Sequence, residues 1–235
     1  MNKMKSAVAA VGLLSIFTGA ADALVPVVSN DNSLGILFST ALAAEMHPAQ
    51  KLVQDASAQM IAALNANAAD LKRNPAHIHD LLEDNILMHI DFEKISLLVL
   101  GKHGRTATVE QRERFTAEFK KLLINTYSDA ALEFSGETIT VKPVRGAKPD
   151  SAMVDTVIQR ASGPIDVSYS VYLTPQKEWK IRDVLVEGVS LMQKYRGETS
   201  SIIERRGGID ALIQELVNRN RSNCAALKLP TCSPM

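Results

Sequence analysis

DFEKISLLVLGKHGRTATVEQRERFTAEFKKLLINTY, residues 91–127, holds the pattern that decides the fold. Asp91 stands where an N-cap carboxylate meets the free N–H groups of a helix start, and Gly101 closes the apolar run after it. Within that run Ile95, Leu98 and Val99 form the inward stripe. A short basic loop comes next. Thr108 and Gln111 then have capping-box spacing, in which each side chain satisfies the other's backbone donor, so a helix starts at Val109. Phe115, Phe119, Leu122, Leu123 and Ile124 give it a broad apolar face, and the pattern carries to Leu132. No nucleophile elbow, metal cage or phosphate cradle interrupts the stretch.

Upstream, Val53, Ala56, Met60 and Leu64 recur at helical spacing within residues 48–69. Asn74 followed by Pro75 reads as an N-cap with proline at the first helical position. Ile78, Leu81, Leu82 and Ile86 supply that helix's apolar stripe. Downstream the period changes to two. Residues 138–144, 152–159, 165–173 and 179–186 read as strands. Val167, Tyr169, Val171 and Leu173 alternate with Asp166, Ser168, Ser170 and Tyr172, which marks a sheet with one buried face. Gly163-Pro164 and Thr174-Pro175-Gln176-Lys177 are turns. Helix returns at Ser190, where Ser190 and Gln193 repeat the capping-box spacing. Gly207-Gly208 breaks it, and Ile209, Leu212, Ile213 and Leu216 complete a last helix. Helices, then strands, then helices predict an α+β fold: a curved, four-stranded antiparallel meander wrapped by helices.

Lys3 and Lys5 precede an apolar run, residues 7–20, too short to cross a bilayer but suited to a signal-peptide core. Cleavage after Ala23 competes with cleavage after Ala43. The later site is preferred, because Asn30-Asp31-Asn32-Ser33 and the residues between it and Ala43 show no core-forming period. The expected organisation is therefore a leader over 1–43, one domain over 44–220 and a loose tail over 221–235. The leader removes two residues of each sign, leaving 24 basic against 24 acidic residues. That balance provides no bulk field for nucleic acid or an anionic membrane, and no nucleic-acid partner is expected. Cys224 and Cys232 suit a small disulfide loop in an oxidising exported compartment. The competing reading is half of a metal site, but two thiolates do not complete a tetrahedral shell.

His47, His77, His79, His89 and His103 form no ligand pattern. His77 and His79 are two residues apart on a helix and point to different faces. Asp183, mid-strand near Trp179, is a lone carboxylate. In a cavity it could act as a base, but such a residue more often holds a backbone donor. Lys142, Arg145 and Lys148 form one small basic loop, and Lys102, His103 and Arg105 another. Both read as solvated faces that could also touch a phosphate headgroup or an acidic partner.

The ordered motifs resemble the MlaC, or toluene-tolerance, family of periplasmic phospholipid-binding proteins. They are Asp91-Phe92 with Ile95 and Ser96, Val99-Leu100-Gly101, Ala107-Thr108 with Gln111, Phe115 and Phe119, Leu122-Leu123 and Tyr127. Further along the chain come Trp179-Lys180, Asp183-Val184, Glu187-Gly188-Val189-Ser190, Tyr195-Arg196 and Gly208-Ile209-Asp210 with Leu212. The likeness spans residues 47–220. Family members commonly carry an aromatic where His103-Gly104 stands, and the long leader and two-cysteine tail are also unusual.

The resemblance implies a nuclear-transport-factor-like α+β fold joined to a helical subdomain, with a deep apolar cavity between them. It implies a non-catalytic, monomeric periplasmic carrier without a cofactor, whose cargo is phospholipid. Its partners would be an inner-membrane ABC transporter bearing an MCE-domain protein and an outer-membrane lipoprotein–porin complex. The expected cavity walls are Val99, Leu100, Phe119, Leu123, Tyr127, Val167, Tyr169, Val171, Leu173, Trp179, Ile181, Val186 and Met192. Two rivals stand beside this reading. One is a cavity enzyme, an isomerase or hydratase using Asp183 and a tyrosine. The other is a module that binds exported protein partners through its apolar face.

Overall fold

The computed structural model describes residues 46–227. The leader with both cleavage points, and Cys232 with its proposed bond to Cys224, lie outside the described residues.

Helix α1 (Pro48–Arg73) starts on a proline, and His47 Nδ1 accepts the Ala49 N–H at 3.1 Å. A 3₁₀ turn, Pro75–His77, precedes α2 (Ile78–Asn85). Asn74 does not cap it through a backbone donor, because its side-chain amide meets the His77 ring at 2.9 Å. Helix α3 (Phe92–Leu100) is capped as expected: Asp91 Oδ1 accepts the Lys94 N–H at 2.8 Å, and Gly101 closes it at φ 55°. Its buried side is Ile95, Ser96, Val99 and Leu100. Packing against both α4 and α5 widens that side toward Ser96 and Leu100, so Leu98 turns outward, contrary to the periodic reading. Helix α4 (Val109–Leu132) carries both halves of its capping box, each bond at 3.1 Å.

The sheet is antiparallel and has six strands where four are expected. They are β1 (Thr138–Val141), β2 (Arg145–Lys148), β3 (Ser151–Gln159), β4 (Ile165–Leu173), β5 (Trp179–Val186) and β6 (Val189–Ser190). The expected first strand stops at Val141. Pro143 has no N–H to give the ladder, and β2 resumes against the same partner, so β1 and β2 together run along β3. From β3 the chain meanders through β4 and β5 to β6. One of the expected basic loops is therefore partly strand. Arg145 makes two bonds to the Asp155 carboxylate, at 2.5 and 3.2 Å, and Lys142 lies 3.5 Å from Asp166.

Helices α5 (Leu191–Arg206) and α6 (Ile209–Leu227) close the fold. Gly207 sits at φ 85°, and the N–H groups of Gly207 and Gly208 both reach the Ile203 carbonyl at 3.1 Å. Helix α6 runs past the expected tail boundary and includes residues 221–227, because Gly and Pro, the usual helix stops, are missing before Pro230.

Two aspartates, Asp91 and Asp183, join the helices to the sheet. Ile90 bridges to Ile181, the Asp91 N–H donates to the Ile181 carbonyl at 3.1 Å, and the Tyr172 hydroxyl donates to Asp91 Oδ2. Two residues further on, Asp183 Oδ2 accepts the Ser190 hydroxyl at 2.6 Å and Oδ1 accepts the Met192 N–H at 3.3 Å. Ser190 Oγ in turn accepts the Gln193 N–H at 3.0 Å. Asp183 thus shares the capping of α5, which is the second of the two roles its sequence position allowed. Replacing Asp183 with Ala should cost about 1–3 kcal/mol, since it leaves helix donors unpaired. Ser190→Ala should cost about 1 kcal/mol, and the two losses should add to less than their sum. Urea unfolding of the two single variants and the double variant measures this; strict additivity would refute the shared cap.

Candidate functional site

The inner face of the sheet is a set of apolar rows. Ile139, Ile158 and Ile165 form one, and Val141, Thr156, Val167 and Val186 the next. Beyond them lie Val154, Tyr169 and Val184, then Ala152, Val171 and Ile181, then Leu173 beside Trp179. A bulge lies opposite Ser170 and Val171: Ser170 pairs with Asp183 and Val171 with Ile181, so Arg182 is the extra residue. Strict alternation from Trp179 and Ile181 would turn Asp183 and Leu185 inward. The bulge resets the parity and places Val184 and Val186 in the inner rows instead.

The apolar interior is divided into three clusters. The helical one contains Val99, Leu100, Phe119 and Met192, with Leu123, Tyr127 and Val186 packed against it. The second, beneath α1, contains Val171 and Ile181, with Tyr169 and Trp179 alongside. The third joins α1 to α2 through Met60, Leu64, Leu71 and Ile78. Val167 is buried and Leu173 half-buried on the same sheet face. Eleven of the thirteen nominated wall residues are thus split between two clusters, and Val167 and Leu173 belong to neither. Val184 and Ile90 pack against both. Val184 was missed by the sequence reading, although the adjacent charges Arg182-Asp183 within an alternating strand were a signal of the parity change.

Open space lies where α1 passes the outer strand. A cleft of about 630 Å³ is lined by Gln54, Ser57, Ala58, Ile61, Ala62 and Asn65 of α1 and by Ile139 and Val141 of β1. That volume falls in the range of small-molecule sites, about 300–1,000 Å³. Ser57, Ala58 and Ala62 on this stripe of α1 are too small to fill the space between helix and strand. None of the thirteen nominated residues lines this cleft, because small and polar helix residues give no apolar signal.

Burial pushes the Tyr169 hydroxyl above the ordinary value, and a hydrogen bond with Thr156 partly offsets it. Tyr127 and Tyr195 hydrogen-bond to each other, and burial raises both. Burial, and after it the bond to Asp91, pushes Tyr172 up to about 12. Burial also lowers His79 and His89, which favours the neutral rings. Among the described residues no cluster of His, Cys, Asp and Glu could hold a metal. The carboxylate named as a base, Asp183, has both oxygens engaged at the α5 terminus.

The described helices include none long and apolar enough to cross a membrane. The chain matches the model of the MlaC protein family over residues 54–218. It is 31% identical over 160 residues to the toluene tolerance protein Ttg2D of Pseudomonas putida, covering 66% of this chain and 73% of that protein. It is 24% identical over 170 residues to the intermembrane phospholipid transport system binding protein MlaC of Haemophilus influenzae, covering 70% of this chain and 78% of that protein. Among solved structures, it is similar to a phospholipid-binding protein from Ralstonia solanacearum in complex with a phospholipid. That likeness has a TM-score of 0.71 at 27% identity and covers 76% of this chain and 99% of the other.

All four tyrosines in the sequence hold their protons more tightly when folded. The folded state therefore binds more protons than the unfolded state above about pH 10, and stability falls as pH rises there. For Tyr172 the loss runs from about pH 10 to its folded value of about 12. Phenolate absorbance should stay low at pH 10 and rise together with loss of the circular dichroism signal. Ordinary tyrosine titration in a still-folded protein would contradict this.

Proposed function

This chain belongs to the MlaC protein family, and on that footing we propose that it is a phospholipid carrier of the bacterial periplasm and performs no chemistry. The observation that carries the reading is the inner sheet face. Its apolar rows exceed what any one cluster covers, and they lead to an open cleft at α1 and β1. Acyl chains would lie along these rows between the sheet and the helices, with the headgroup outside. The phospholipid in the complex of the Ralstonia relative supports the same cargo here.

A magnitude explains the design. Two acyl chains carry roughly 30 methylenes, each worth about 0.8 kcal/mol on leaving water. Releasing a lipid into water would thus cost on the order of 20 kcal/mol. Exchange must pass through an apolar path that is nearly neutral in energy, so direction is set by partners. We assign those partners as an inner-membrane ABC transporter with an MCE-domain protein and an outer-membrane lipoprotein–porin complex. Chain contacts dominate the energy, so headgroup tolerance is broad. The carrier works as a monomer. The role engages Val99, Leu100, Phe119, Leu123, Tyr127, Val167, Tyr169, Val171, Leu173, Trp179, Ile181, Val186 and Met192 as walls, together with Val184 and the cleft residues.

Native mass spectrometry of the exported protein, with solvent extraction, should find stoichiometric diacyl phospholipid of more than one headgroup class. A bare protein that also fails to take lipid from vesicles would overturn the proposal. Ala58→Trp puts bulk into the cleft from an exposed helix position and should at least halve the bound lipid without lowering the melting temperature. Full occupancy would remove the cleft from the path.

A further inference from the structure

Helix α3 is apolar on more sides than the fold covers. Its inner residues Ile95, Val99 and Leu100 are buried, while Leu97 and Leu98 are 46% and 40% exposed. Neighbouring exposed leucines on a nine-residue helix are a patch, unlike scattered single ones. Beside them lies a hollow of about 370 Å³ lined by Leu97, Leu98, Gly101, Gly104, Arg105 and Arg196. The two glycines keep it open. A Cβ at Gly101 would stand 2.7 Å from Arg196 Nε, and one at Gly104 would stand 3.2 Å from the Leu100 Cβ. No carboxylate lines the hollow. The nearby acid Glu204 is engaged by Lys102 at 3.2 Å. Among the described residues, neither Arg105 nor Arg196 has an ion pair.

We propose that this patch is a contact site for the surface of an anionic phospholipid bilayer, with the two leucines entering the interface and Arg105 and Arg196 meeting lipid phosphates. Charge complementarity selects the occupant. A patch of cations and aliphatic side chains without an acid suits a layer of phosphates over hydrocarbon. The patch is also far smaller than the roughly 20–30 residues that a stable protein interface buries on each side. A bilayer asks for no such area. The overall charge balance of the chain gives the contact its character. With equal numbers of Lys plus Arg and Asp plus Glu, the protein is not held to the membrane but is oriented on it, reversibly, by one spot. The patch lies on the outside of the α3–α5 pair, while Val99, Leu100 and Met192 of the same helices belong to the helical core cluster. The proposal stands on the patch and does not depend on what the interior carries.

The test is co-sedimentation of the exported protein with vesicles of phosphatidylethanolamine and phosphatidylglycerol, set against phosphatidylcholine vesicles. Binding should require phosphatidylglycerol and weaken with salt. Arg105→Gln and Arg196→Gln should each lower it about fivefold, the loss expected for one basic group at an anionic surface. Leu97→Ser with Leu98→Ser should abolish it. Each variant should keep its melting temperature and its bound lipid by native mass spectrometry, which separates failure here from failure of the carrier reading. No wild-type binding to the anionic vesicles would overturn the proposal, as would binding that ignores the four substitutions. Variants that bind vesicles normally but no longer exchange lipid with purified membrane complexes would assign the patch to a protein and also overturn it.

Discussion

Three consecutive residues of β5, Ile181 to Asp183, hold the helical half of the molecule to the sheet. The Ile181 carbonyl takes the N–H of Asp91, the residue that caps α3. Asp183 takes the hydroxyl of Ser190 and the N–H of Met192 at the start of α5. Between them Arg182 occupies the bulge, with its Nε 3.2 Å from Ser170 Oγ. A bulge adds a residue to one strand and changes which side chains face inward. Here it does both jobs. It turns a carboxylate toward a helix terminus that needs an acceptor, and it keeps Val184 and Val186 on the apolar face. Without it the strand would offer the core an aspartate.

Much of this was legible in the sequence because local chemistry determined it. Thr108 with Gln111, Asp91 with Gly101, and Gly207-Gly208 mark helix ends through their own hydrogen bonds and backbone angles, and no distant contact can revise them. Strands β4 and β5 were placed at their observed limits because flanking turns bound both, with alternation unbroken in β4. What was hidden depends on neighbours. Leu98 fits a helical stripe but faces outward because α5 approaches from the other side. Strand β2 exists because β3 is long enough to pair again after Pro143. The α1–β1 cleft was the least legible feature: Ser57, Ala58 and Ala62 announce nothing, and only the distance between two elements makes them walls.

Polar side chains do a different job in the helical half. Asn220 donates to the Glu118 carbonyl at 2.9 Å and to its carboxylate at 2.8 Å. Gln111 reaches Asp210 at 2.8 Å, so the residue that completes one helix's capping box also fastens a second helix to it. These links join α4 to α6 around the cluster built on Phe115, Phe119, Leu212 and Leu216. Their geometry is directional, so they fix how the two helices are set against each other, which apolar contact alone does not specify.

Helix α1 rests on the remainder of the protein like a beam on two bearings. Ala49 and Val53 seat one end on the sheet, and Met60, Leu64 and Leu71 seat the other on the α2 side. The cleft opens along another side of the same helix, from Gln54 to Asn65, where Ser57, Ala58 and Ala62 are small. The gauge of the gap between α1 and β1 is therefore set mainly by how the opposite side of the helix is seated on its two bearings, and little by what lines the gap itself.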